Sequence, residues 1–172
     1  WCDGNVGIYG PSYLGVTTML AARERPPSLR CAIPMITADD YYRDWVYQGG
    51  AFKLSFALGW ALGVATVSAQ RLDLDADIRE RLVAAASSRD GQQYTRPLAS
   101  APGLSLPGVA PWWSDWLEHD SHDEYWQGLS PSRDYAGYEV PMLHIGGWWD
   151  LFGSRRVVAS RCQGARAGHH RC

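Results

Sequence analysis

The stretch from Val6 to Ala22, VGIYGPSYLGVTTMLAA, constrains this chain more than any other part of it. Val6–Tyr9 is a short apolar run of strand character. Val16–Arg25 has the composition of a helix. The turn between them carries Gly10, Pro11, Ser12 and Gly15. Pro26 and Pro27 then end the helix, because proline cannot continue one and biases its predecessor away from helical geometry. Leu29–Pro34 reads as a strand again. Strand, helix and strand on links this short are the signature of a βαβ unit and of the α/β fold class.

Ser12 stands on the bend itself. A serine hydroxyl is a poor nucleophile at neutral pH; it needs a base to take its proton and donors to hold the oxyanion that forms. A sharp strand-to-helix turn projects the hydroxyl clear of the backbone and aims the next N–H at the reacting carbonyl oxygen. Gly10 and Gly15 keep side chains out of the turn. These features make Ser12 the expected nucleophile and the backbone N–H of Tyr13 the expected oxyanion donor. The plainer reading is a Gly/Pro turn with an incidental serine. The pattern also differs from the usual G-x-S-x-G, since its last glycine comes one place later.

Such a serine calls for an acid after a later strand. Asp150 is placed that way, behind the expected strand Val140–Ile145 and the pair Gly146-Gly147. Its plainer role is to cap a helix expected to start near Leu151 and to run from Phe152 to Ala159. Between the two candidates the character of the chain changes. Apolar residues recur at helical spacing, as in Phe52, Phe56 and Trp60, then Ile78, Leu82 and Val83. Asp73–Ala86, Trp112–Leu117 and Asp123–Gly128 are expected helices, and Ser87–Pro111 is an expected extended loop. The organisation expected is residues 1–38 as sheet-and-helix core, 39–135 as a helical insertion, 136–158 as a return to the core, and 159–172 as an atypical tail. That tail has no aliphatic residue larger than alanine, as a truncated gene or a shifted reading frame would give.

The segments WCDGNVGIYGPSYLG, GWWDLF and HDEYW together resemble the CocE/NonD hydrolases, a group of cocaine-esterase-like enzymes, α-amino-acid ester hydrolases and X-Pro dipeptidyl-peptidases. The resemblance covers about residues 1–158. It implies a partial α/β-hydrolase fold with an inserted helical cap, with Ser12 as nucleophile, Asp150 as triad acid and Tyr13 as backbone oxyanion donor. It also implies that Trp45, Trp60 and Phe152 line an acyl pocket; the plainer role for all three is packing. A second oxyanion donor, a tyrosine hydroxyl, is expected before residue 1, where the first residue, not a methionine, already suggests an upstream start. The triad histidine is expected in a G-P-W-x-H-like setting that this sequence does not contain. His169 and His170 lie at about the right distance, in surroundings that do not match.

The resemblance implies hydrolysis of an ester, amide or short peptide through an acyl-enzyme, with no cofactor and no metal. Two rivals stand beside it: a non-catalytic fragment of such a hydrolase, and a carbohydrate-binding module built on the nine tryptophans. The latter accounts for neither the bend at Ser12 nor Asp150. A net charge of −2 gives no reason to expect nucleic acid or an anionic membrane as partner. The longest uncharged run, Leu54–Ala69, is shorter and more mixed than the roughly 20 apolar residues of a membrane span, and reads as a buried helix. Cys2, Cys31, Cys162 and Cys172 lack metal-ligand spacing and read as separate thiols. His119, Asp120, His122, Asp123 and Glu124 look metal-like, but the two histidines share a face only if that segment is helical. His144, before the acid in the chain, reads as a hydrogen-bonded or pocket-edge residue.

Overall fold

Val6–Pro11 form strand β1 and Leu29–Met35 form β2, parallel to it, with Val6 opposite Leu29 and Pro11 opposite Met35. The crossover is helix α1, Tyr13–Arg23, which buries Gly15, Thr18, Met19 and Ala22, the one-face spacing of an α-helix. Arg25 turns left-handed at φ 51° just past the helix end, and its N–H donates to the Ala22 carbonyl at 3.2 Å. Pro26-Pro27 then turn the chain into β2. The computed structural model describes residues 2–71, 74–92 and 94–152. The expected helix to Ala159, the tail 159–172 and its cysteines and histidines lie outside the described residues.

Residues 140–145 lie on the other edge of β2, also parallel. The Ala32 N–H donates to the Pro141 carbonyl at 3.1 Å, the Leu143 N–H to Ala32 at 3.0 Å and the Ile145 N–H to Pro34 at 3.2 Å. Bridges join Ala32 to Met142 and Met35 to Ile145. Three parallel segments therefore point their carboxyl ends the same way, with β2 in the middle. Their core joins Ala22 of α1 to Leu29 and Ala32 of β2 and to Tyr138, all buried, with Ile8, Tyr135, Val140 and Met142 packed around them. Arg25 ties the helix end to the approach to the third segment, its Nε donating to the Gly137 carbonyl at 2.8 Å and its Nη1 lying 3.1 Å from Glu139.

The chain divides into two compact units: the described residues as far as Asp44 together with those from Trp126 on, and Trp45–Tyr125. The second lies inside the span 39–135 set apart by composition. It begins with a hairpin of β3, Tyr47–Gln48, and β4, Ala51–Phe52, turned by Gly49 and Gly50 at φ 60° and 86°. Phe52, expected in a helix, is thus a strand residue, its ring 5.3 Å from that of Tyr47. Helix α2, Leu54–Arg71, buries Ala57, Leu58, Ala61, Leu62, Ala65 and Ala69, the buried helix expected there. Helix α3, Ala76–Ser87, packs on it and starts at Asp75, whose carboxylate accepts from the Asp77 N–H at 2.8 Å. The expected start at Asp73 lies outside the described residues.

The expected loop Ser87–Pro111 is not extended throughout. It holds a short helix α4, Arg89–Gln92, and a single 3₁₀ turn, Leu98–Ser100. The buried Gln92 amide donates to the Ala85 carbonyl, which docks α4 back on α3. Helix α5, Pro111–Glu118, has proline at its first turn, where no N–H is missed. Helix α6, Glu124–Leu129, leads back to the first unit. No described helix is long and apolar enough to cross a membrane.

Candidate active site

Ser12 joins β1 to α1 with φ 53° and ψ −123°. A residue with a β-carbon held in that region costs about 1–3 kcal/mol and persists only where its surroundings enforce it. Here they do. The Ser12 N–H donates to the Met35 carbonyl of β2 at 2.9 Å, and the Ser12 carbonyl accepts from Gly15 at 2.9 Å and Val16 at 3.2 Å. Serine at a helix start commonly caps it with its hydroxyl. Ser12 is exposed and makes no side-chain cap bond. Tyr13 opens α1, so its N–H sits at the positive end of the helix dipole.

Both glycines are required by space. A β-carbon on Gly10 would lie 2.5 Å from the Leu14 β-carbon and 2.6 Å from the Leu14 carbonyl carbon and oxygen. One on Gly15 would lie 2.8 Å from the Thr37 β- and γ-carbons and 3.0 Å from the Gly10 carbonyl oxygen. The first glycine admits the opening turn of α1 over the end of β1. The second admits α1 against Thr37, just beyond β2.

Asp150 follows the third parallel segment. Its N–H donates to the Gly147 carbonyl at 3.2 Å, and its Oδ1 accepts from the Phe152 N–H at 3.3 Å. That bond is a local turn contact over residues 150–152; the helix that Asp150 was expected to cap lies outside the described residues. Asp150 is half-buried, and no hydrogen bond joins it to Ser12. The two follow the carboxyl ends of the first and third segments of one parallel sheet, the edge where open α/β sheets hold their ligands.

The aromatic candidates divide. Trp45 is 4% exposed, with its ring 5.9 Å from Phe56 and 5.8 Å from Trp60. Trp60 in turn lies 5.6 Å from Trp112 and 5.7 Å from Trp116. The structure thus joins Trp45 and Trp60 inside Trp45–Tyr125, where both pack. Phe152 belongs to the other unit, buried two residues past Asp150.

The metal-like segment takes another form. α5 ends at Glu118, so His119 and His122 share no helix face. His119 Nδ1 meets Asp123 Oδ2 at 2.5 Å, and its ring stacks on Tyr125 at 4.3 Å. Burial, with Asp115 adding, raises the pKa of the Tyr125 hydroxyl. Among the described residues no three His, Cys, Asp or Glu side chains converge on a metal position. Desolvation lowers the pKa of His144, between the two bridges of the third segment. Cys2 and Cys31 are free thiols.

One residue at this edge has no signal in the sequence. Ile36, next after Met35, has φ 46°, and its N–H donates to the Ile145 carbonyl at 2.7 Å. A β-branched residue reads as strand and argues against a left-handed backbone.

Residues 1–160 match the profile of the X-Pro dipeptidyl-peptidase (S15 family). The chain belongs to this family. The cocaine esterase of Rhodococcus sp. (strain MB1 Bresler) is 35% identical over 158 residues, which is 88% of this chain and 27% of that enzyme. The chain therefore spans about a quarter of that relative's length. A CocE/NonD family hydrolase from Staphylococcus aureus superposes with a TM-score of 0.52 at 22% identity, over 82% of this chain and 19% of that one. An aminopeptidase from a marine sediment archaeon, Thaumarchaeota archaeon, gives 0.53 at 23% identity, over 86% and 24%. At these identities the superpositions speak for the fold, and the fold of this S15 chain is part of an α/β hydrolase with a mainly helical insertion.

Proposed function

We propose that this chain carries the nucleophile and the acid of a serine hydrolase acting on esters, amides or short peptides. The observation that carries the reading is Ser12: a strained backbone, an exposed hydroxyl spent on no cap, and a position at the carboxyl edge of a parallel sheet. In that reading the Ser12 hydroxyl attacks the substrate carbonyl while a histidine takes its proton. The Tyr13 N–H donates to the oxyanion, and α1 adds the positive end of its dipole. The tetrahedral species collapses to an acyl-enzyme, the leaving group takes the proton back from the histidine, and water releases the acid. Asp150 orients the histidine; its Oδ1 bond to the Phe152 N–H fixes the carboxylate for that task. Trp45, Trp60 and Phe152 are substrate contacts on the strength of the resemblance alone.

Membership in a hydrolase family and 35% identity to an esterase support the reaction class. Covalent labelling tests it. The purified chain is treated with a fluorophosphonate, and the adduct is located by peptide mass spectrometry, with Ser12→Ala as control. Adduct on Ser12 alone is the expected result. A folded chain that takes none refutes the assignment of an assembled nucleophile to this molecule and favours the rival reading, a fragment without its base.

A further inference from the structure

We propose that Ile36 is a specificity-determining residue of the hydrolase site, forming an apolar wall against the acyl group bound at Ser12; the inference rests on the serine-hydrolase reading above. Three independent observations meet at this residue. The first is position. Pro11 is the register partner of Met35, and the Ser12 N–H is bonded to the Met35 carbonyl at 2.9 Å, so Ile36 is the β2-side neighbour of Ser12. On its other side its own N–H is bonded to the Ile145 carbonyl, where the chain leaves the sheet toward Asp150. Ile36 thus lies between the serine segment and the aspartate segment at the carboxyl edge.

The second is backbone. A φ of 46° is rare for any residue with a β-carbon and a clear outlier for a β-branched one. The peptide group that leads into Ile36 is held at both ends by the two bonds just named, its carbonyl by Ser12 and its N–H by Ile145, and such anchoring is how a strained conformation persists. Glycine meets the same backbone requirement without strain, and asparagine with little. The third is exposure. The Ile36 side chain is 44% exposed, so packing does not account for it. A residue that disfavours its own backbone and leaves apolar surface in water is poorly explained by stability. An apolar group beside the nucleophile explains it, because desolvating an acyl chain there adds binding where the carbonyl is held.

The test uses the full chain and two reagents that sulfonylate activated serines, methanesulfonyl fluoride and phenylmethanesulfonyl fluoride, which differ in the group placed at the acyl position. Rates at Ser12 are read by mass spectrometry. Ile36→Ala and Ile36→Gly are expected to lower the phenylmethane-to-methane rate ratio about tenfold, the discrimination a lost apolar contact can carry. Ile36→Val is expected to keep most of it. Ile36→Gly, which alone relieves the backbone, is also expected to raise Tm by about 2–4 °C. Sulfonylation with an unchanged ratio in both truncations, or a Tm for Ile36→Gly below that of the parent, overturns the inference and leaves the hydrolase reading standing. No sulfonylation of the parent chain at Ser12 overturns both.

Discussion

Gly10→Ala puts the geometry of the serine turn to a quantitative test. The added β-carbon would stand 2.5–2.6 Å from three atoms of Leu14, two of them backbone. Ordinary contact between carbons is about 3.5–4.0 Å, so the first turn of α1 has to move by about 1 Å. Overpacking against side chains costs about 1–3 kcal/mol, and here the obstacle is a helix backbone, which sets the expectation at about 3 kcal/mol. At about 2–4 °C per kcal/mol for a chain of this size, Tm falls by about 6–12 °C. The internal comparison is Gly63→Ala in α2. A β-carbon there meets nothing within 4 Å, and helix propensity alone adds about 1 kcal/mol, a rise of about 2–4 °C. Both melts are followed by circular dichroism at the helix band. If Gly10→Ala melts within about 1 °C of the parent, the close approach of Leu14 is refuted, and with it the explanation of why this bend is built on glycine.

Ser12→Gly removes a strained β-carbon and is expected to stabilise the fold by about 1 kcal/mol while abolishing fluorophosphonate labelling, a pairing read by Tm and mass spectrometry together. Burial raises the Tyr138 hydroxyl to about 12, with Arg23 opposing and Asp134 and Asp39 adding to the rise. The folded state therefore holds that proton more tightly than the unfolded chain, whose tyrosines ionise near 10. The contribution is whole below about pH 10 and is lost as pH climbs through about 12, so urea stability should decline over that window and Tyr138→Phe should flatten the decline. The same variant is expected to gain about 1 kcal/mol at neutral pH, since the buried Tyr138 hydroxyl has no hydrogen-bond partner among the described residues. Trp126→Ala, at a side chain 1% exposed and 5.9 Å from the Tyr42 ring, is expected to cost about 3–5 kcal/mol by urea titration.

The serine turn was legible because its causes are local. Gly10, Ser12 and Gly15 act within one turn of chain, and Pro26-Pro27 terminate the helix by their own covalent geometry. The long buried helix was legible from a continuous apolar run. Phe52 was misplaced because Gly49 and Gly50, just before α2, make a hairpin, and a turn of that kind overrides helical spacing on its far side. Ser87–Pro111 hid α4 because its one anchor, the Gln92 amide on Ala85, is a tertiary bond that composition does not display. Ile36 was invisible for the opposite reason: its residue type argues against the backbone that one distant carbonyl, of Ile145, and one distant N–H, of Ser12, hold in place. That Ser12 and Asp150 follow two segments of one parallel sheet agrees with their order in the chain, whereas Trp45 and Trp60, packed on one another, show that ring type does not separate a packing role from a binding one.

The ring contact between Tyr42 and Trp126 has a kinetic consequence. These residues flank Trp45–Tyr125 on either side, and their rings are 5.9 Å apart. The strand segments that follow the insertion must find partners laid down far earlier; Arg25 reaches Gly137 across 112 residues of chain. Closing so long a loop from a random coil is entropically slow and delays every non-local contact beyond it. Once the inserted residues have collapsed around their own helices, the loop is no longer a coil. A collapsed insertion costs less to span than a coil of the same length, and the Tyr42–Trp126 contact, made within the first unit, closes the chain on either side of it.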